Sequence, residues 1–125
     1  MKENKLAELS MEFAVDIINL VRQLKENREA IISNQIGRSG TSIGANVAEG
    51  ERGQSTADFN AKMNIALKEA NETKYWLTLL YRTDYLTEEE YAKTSPDRWK
   101  NVGTAISNAG MALMGVSMTM NMVSS

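Results

Sequence analysis

Cysteine and histidine are both absent from this 125-residue chain. Without cysteine there are no disulfides and no thiolate metal sites. Without histidine, Ser-His and Cys-His catalysis are excluded, and so is a carboxylate-histidine di-iron site of the kind some helical bundles carry. Proline occurs once, at Pro96, and aromatic residues make up only 6% of the chain. Val, Ile, Thr and the aromatics do not gather into alternating runs, which argues against a sheet protein. Excess charge is lacking too. A formal net charge of −2 gives no general pull toward nucleic acid or an anionic membrane. The N-terminal MKENKLAELS is charged and has no apolar signal core, so a soluble cytoplasmic protein is expected. The length suits one domain over residues 1–125 with a single core.

What the chain does have is helical periodicity. Asn4 is a candidate N-cap, and Leu6, Leu9, Phe13, Ile17, Leu20 and Leu24 recur at spacings of three and four, which predicts a helix over 5–26. Met11, Val15 and Ile18 form a second strip on that helix, roughly 120–180° from the first at about 100° per residue. Scattered surface apolars are ordinary, but three on one strip read as a contact surface.

Five of the eight glycines fall in NQIGRSGTSIGANVAEGERG, residues 34–53. Its composition is that of a loop, yet Ile32, Ile36, Ile43 and Val47 keep helical spacing, predicting a helix over 29–51. Beside them runs a track of small residues, Ser33, Gly37, Gly44 and Ala48, with Gly40 between the two. Three interior glycines cost about 2–3 kcal/mol relative to alanine. Close approach of a neighbouring backbone at Gly37, Gly40 and Gly44 would compensate, as in small-xxx-small packing. A phosphate loop fits poorly. Ala45-Asn46, and no Lys-Ser/Thr, follows Gly44; no strand precedes the segment; and the GXXG at 37–40 lacks a mixed helix-and-strand domain around it.

Ser55 with Asp58 reads as an N-cap and an acidic third position, opening a helix over 56–83. Phe59, Met63, Ala66, Ala70, Leu77 and Tyr81 point inward, while Ile65, Trp76 and Leu79 form another off-core strip. Thr87 and Glu90 make a capping box, flanked by Leu86 and Tyr91 as a hydrophobic staple. A short helix over 88–94, a break or kink near Pro96, and a helix over 97–120 are expected. From Asn101 to Ser125 no residue is charged. Polar interruptions argue against a membrane span there. A helix apolar over much of its girth is one buried on two sides, and Met114 and Met118 suit an adaptable interface. The blander alternative is core on one side followed by a frayed tail.

Long helices with short connections predict an all-α, antiparallel up-down four-helix bundle. A turn near Gly53 sets Arg38 level with Lys68 and Glu69, with Glu72 one turn away, Asn46 level with Asn60, and Ser42 level with Asn64. Glu49, Glu69 and Glu72 could form an acid-base site. An Arg38–Glu69 ion pair with an asparagine layer fixing register is the simpler reading, since no nucleophile, metal-ligand set or ligand loop accompanies the carboxylates. No cofactor, catalytic residue, metal or small-molecule substrate is read from the sequence.

RSGTSIGANVAEG at 38–50, DFNAKMNIALKEANETKYWLTLL at 58–80 and YLTEEEY at 85–91 resemble a bacterial four-helix-bundle family. Its members are often encoded in intervening sequences of 23S ribosomal RNA genes. The resemblance spans about residues 5–93. It implies an up-down bundle and a barrel-like homopentamer. One relative, the accessory protein of diversity-generating retroelements, binds nucleic acid and a reverse transcriptase through basic surface. For most members no biochemical activity is established. Arg38, Ser42, Asn46, Glu49, Ala66, Leu67, Glu69, Ala70, Glu72, Thr73 and Trp76 stand where the family motif has them, as a structural signature with no assigned catalysis. The expectation is a non-enzymatic homo-oligomeric scaffold with subunit contacts at Met11, Val15, Ile18, Ile65, Trp76, Leu79, Met114 and Met118. The alternative is RNA or DNA binding, with copies of Arg22, Lys25 and Arg28, or of Arg52, lining one end of the oligomer.

Overall fold

A computed structural model describes residues 4–94 and 102–106, and these are helical with no strand. Three long helices, α1 (Asn4–Glu26), α2 (Ile31–Glu51) and α3 (Thr56–Arg82), are followed by the short α4 (Glu88–Ala92) and a helical segment at 102–106. Pro96, most of the helix expected over 97–120, and Met114 and Met118 lie outside the described residues.

α2 packs against both α1 and α3, and the long helices alternate in direction, since Gly37 lies by Val21 and Gly44 by Ser10 while Arg38 meets Glu69 and Glu49 meets Lys62. Phe13, Ile17 and Leu24 of α1, Ile36, Ile43 and Val47 of α2, and Met63, Ala66, Leu77 and Leu80 of α3 are buried in one cluster. Val102 and Ile106 join the same cluster, each 1% exposed.

The ends of the helices are set by local chemistry. Both α1 and α3 stop in the same way, with a non-glycine residue in the left-handed region: Arg28 at φ 67° and Asp84 at φ 70°. Beyond α1, the amides of Glu29 and Arg28 donate to the carbonyls of Leu24 and Lys25; beyond α3, those of Tyr85 and Asp84 donate to Leu80 and Tyr81. This is the Schellman pattern, which satisfies carbonyls the helix leaves open. The N-terminus of α3 is capped by Ser55, whose hydroxyl accepts from the Asp58 amide, while Asp58 accepts from the Gln54 amide. At α4 the Thr87–Glu90 capping box is present in both directions.

α2 begins two residues later than its periodicity suggests, and the cause is Glu29. Its two carboxylate oxygens accept from the amides of Ile32 and Ser33 at 2.9 and 2.6 Å, and the residue is buried. An anion there also faces the positive end of the helix dipole. Glu29→Ala is therefore expected to lower stability by about 1–2 kcal/mol, the usual loss for a helix cap. Urea titration would detect it as a lower midpoint with unchanged slope.

Candidate functional site

Gly37, Gly40 and Gly44 of α2 face α1. A Cβ at Gly40 would lie 2.8 and 2.9 Å from the two γ carbons of Ile17, and one at Gly37 would lie 3.3 Å from a Val21 methyl. At Gly44 the nearest atom is the Ser10 carbonyl oxygen at 3.4 Å, an ordinary contact. The α1–α2 seam is therefore tightest at Gly40 and loosens toward Gly44. Gly50 faces the other way, against Met63 and Lys62 of α3.

The signature polar residues gather along the α2–α3 seam. Arg38, half-exposed, is held by two carboxylates of α3: Glu69 at 3.2 Å, and Glu72 through its other guanidinium nitrogen. Glu72 also accepts from the Trp76 indole nitrogen at 3.0 Å. These bonds, chiefly that from Arg38 and then that from Trp76, hold the Glu72 carboxyl below its ordinary range, and Glu72 in turn raises Arg38. Glu49 pairs with Lys62 at 2.7 Å near the α2–α3 turn. Deeper in the seam, the Thr73 hydroxyl lies 2.8 Å from both Ser39 Oγ and the Glu69 carbonyl oxygen. With one proton per hydroxyl, Ser39 donates to Thr73 and Thr73 donates to the carbonyl. Both residues are fully buried, so this pair is the polar lock of the interior seam.

The asparagine layer takes another form. Asn46 donates to the carbonyl and the hydroxyl of Ser42, one turn back in its own helix, while Asn60 Oδ1 is buried with no hydrogen-bond partner among the described residues. The register differs from the sequence estimate: Arg38 reaches Glu72 as well as Glu69, and Thr73 lies against Ser39. The four-residue turn after α2 moves α3 by part of a helical turn relative to a pivot at Gly53.

Glu90 is held below its ordinary range chiefly by the Thr87 amide, with Gln23 of α1 adding a hydrogen bond at 3.3 Å. A carboxylate depressed in the folded state stabilises the protein above its unfolded pKa of about 4.3, and that contribution is lost as pH falls through the folded value. Stability should therefore decline below about pH 4.3. Glu72→Gln and Glu90→Gln should each make thermal melts less pH-dependent in that window.

On α1, Met11, Val15 and Ile18 are 65, 51 and 40% exposed. Ile65 of α3 is 40% exposed, whereas Trp76 and Leu79 are partly buried. Arg22, Lys25 and Arg28 are exposed around the C-terminal end of α1. Arg52 is at the opposite end, where Ala48, Glu51, Arg52 and Phe59 line an open depression. Among the described residues no group of three or more acidic side chains is placed to hold a metal ion, and no helix is long and apolar enough to cross a membrane.

Antiparallel long helices with a glycine seam and an arginine-carboxylate seam define a helix-bundle domain. The sequence profile of the 23S rRNA-intervening sequence protein family matches residues 2–103, and the chain belongs to that family. It is similar to a crystal structure from Bacteroides thetaiotaomicron described as a protein of unknown function from the S23 ribosomal protein family. That similarity has 49% identity and a TM-score of 0.81, and covers 84% of this chain and 97% of the other. No curated protein matches.

Proposed function

We propose that this chain is a non-enzymatic interaction protein, a four-helix up-down bundle whose copies assemble into a homo-oligomer. The observation that carries the reading is the apolar strip of Met11, Val15 and Ile18, on the side of α1 opposite Phe13 and Ile17. A strip that the bundle core does not use, at regular helical spacing, is the surface a second protein surface would cover. Burial of Val102 and Ile106 supports a fourth helix closing the core. The carboxylates that could do acid-base work are engaged by Arg38, Trp76 and Lys62, which favours a structural role. The resemblance to barrel-like relatives makes five copies the expected number. Light scattering on the intact chain and on a strip variant tests the reading.

A second reading, nucleic-acid binding by the oligomer, draws support from Arg22, Lys25 and Arg28, which make no ion pair among the described residues. Such binding would weaken steeply as salt rises, and a flat response would exclude it.

A further inference from the structure

Two outer faces of the molecule have opposite relief. On α1, Ile18 and Met11 lie about 60–80° round the helix from Val21, on the side away from Phe13, at about 100° per residue. Val21 packs by Gly37, so the apolar strip borders the α1–α2 seam on its outer side. The other bank of that seam is small. Gly37, Thr41, Gly44 and Ala48 follow one another there at spacings of four, three and four, none of them buried. An apolar ridge beside a track of minimal side chains makes a shallow groove along α1 and α2. α3 carries the reverse relief. Ile65, Lys68, Glu72, Tyr75 and Leu79 form a stripe on its side away from Met63 and Ala70, with Tyr75 60% and Ile65 40% exposed.

We propose that this α3 face of one copy lies in the α1–α2 groove of the next, with α3 running the same way as the α1 it meets. Within a copy α1 and α3 already share a direction. Rotation about an axis along the bundle, the operation that closes a ring, keeps both direction and height. Residues level with one another inside a copy therefore face one another between copies. Gly37 lies by Val21, and Ser39, two residues on, bonds Thr73, two residues before Tyr75. Tyr75 is thus level with Gly37 and Val21, and its ring falls over Gly37 of the next copy, between Ile18 and Arg22. Gly50 lies against Met63, so Ile65 is level with Ala48 and falls over it, one turn from Met11. The two most exposed apolar side chains of α3 meet two of the smallest places in the groove, as knobs meet holes between helices.

Charge agrees with shape. Arg22, which makes no ion pair among the described residues, falls beside the Tyr75 ring and one turn from Glu72. Arg38 offsets one of its two carboxylate partners, leaving the Arg38–Glu69–Glu72 group one net negative charge for that cation. This docking rests on the self-assembly reading and deepens it. The contact is heterologous, with a ridged face meeting a grooved one, and it gives Gly37 and Ala48 a role outside their own subunit.

The absence of cysteine makes the test direct. Ile18→Cys and Tyr75→Cys are introduced separately and together into the full chain, treated with a short bis-maleimide and run on a denaturing gel. The double variant should give a ladder of covalent multimers. Each single variant should stay at monomer mass, and a mixture of the two should give a covalent dimer. Dilution followed by light scattering is the second arm. Tyr75→Ala should dissociate at a concentration about tenfold higher than the full chain does, whereas Tyr85→Ala, beyond the end of α3, should not. A multimer in which Ile18→Cys links to itself, or in which Tyr75→Ala and Tyr85→Ala dissociate alike, overturns the docking and leaves self-assembly standing. A full chain that is monomeric overturns both.

Discussion

Gly40→Ala is expected to destabilise the protein by about 1–2 kcal/mol, although alanine is the better helix former by about 1 kcal/mol. The added methyl would sit 2.8 Å from Ile17 Cγ1, 2.9 Å from Cγ2 and 3.2 Å from Cβ. These atoms are the stem of a β-branched side chain, so they cannot swing away as a flexible terminus would. Ile17 is fully buried, and moving it disturbs the core around Phe13 and Ile43. Overpacking of this kind costs about 1–3 kcal/mol and outweighs the gain in helix propensity. Gly44→Ala is the control. Its methyl would meet only the Ser10 backbone and hydroxyl at 3.4 Å and beyond, so stability should hold or rise by up to about 1 kcal/mol. Chemical denaturation of the two variants side by side shows a loss for Gly40→Ala and no loss for Gly44→Ala if glycine is there to thin the helix at one point. Equal effects would mean that backbone flexibility, and not the contact with Ile17, decides both positions.

Met11→Lys combined with Ile18→Lys is expected to dissociate the proposed assembly while leaving the fold intact. Both side chains point away from the core, at 65 and 40% exposure, so an isolated subunit accepts lysine at either place without losing a buried contact. In an assembly the same lysines would bring two charges into an apolar contact. Burying an unpaired charge costs several kcal/mol, which exceeds what a subunit contact of ordinary size can spare. Helicity by circular dichroism should therefore be retained as the mass falls.

The fold was legible wherever a local rule fixes it. Ser55 with Asp58 and Thr87 with Glu90 are caps whose partners are three residues apart, and both form as read. The core stripe of α1 was legible for the same reason, since helical spacing alone decides which residues share a face. Glu29 was missed because its carboxylate caps α2 from outside the helix, where no short motif marks it. Arg28 and Asp84 were missed because each takes a backbone conformation that sequence usually signals with glycine. Across the α2–α3 seam, the pairing of Arg38 with Glu69 and Glu72 follows from antiparallel topology, but its level depends on the geometry of the connecting turn. The Ser39–Thr73 lock went unread because a lone buried hydroxyl pair has no periodic signature. Asn46 looked like a cross-helix residue and instead bonds Ser42, one turn back, a choice spacing along the chain cannot distinguish.

The most direct test of self-assembly is the solution mass of the full chain beside that of Met11→Lys/Ile18→Lys, by light scattering at equal concentration. The proposed self-assembly predicts a stable multimer of the 13.9 kDa chain for the first and a helical monomer for the second. An intact chain at monomer mass, or a double variant that keeps the multimer, would contradict it.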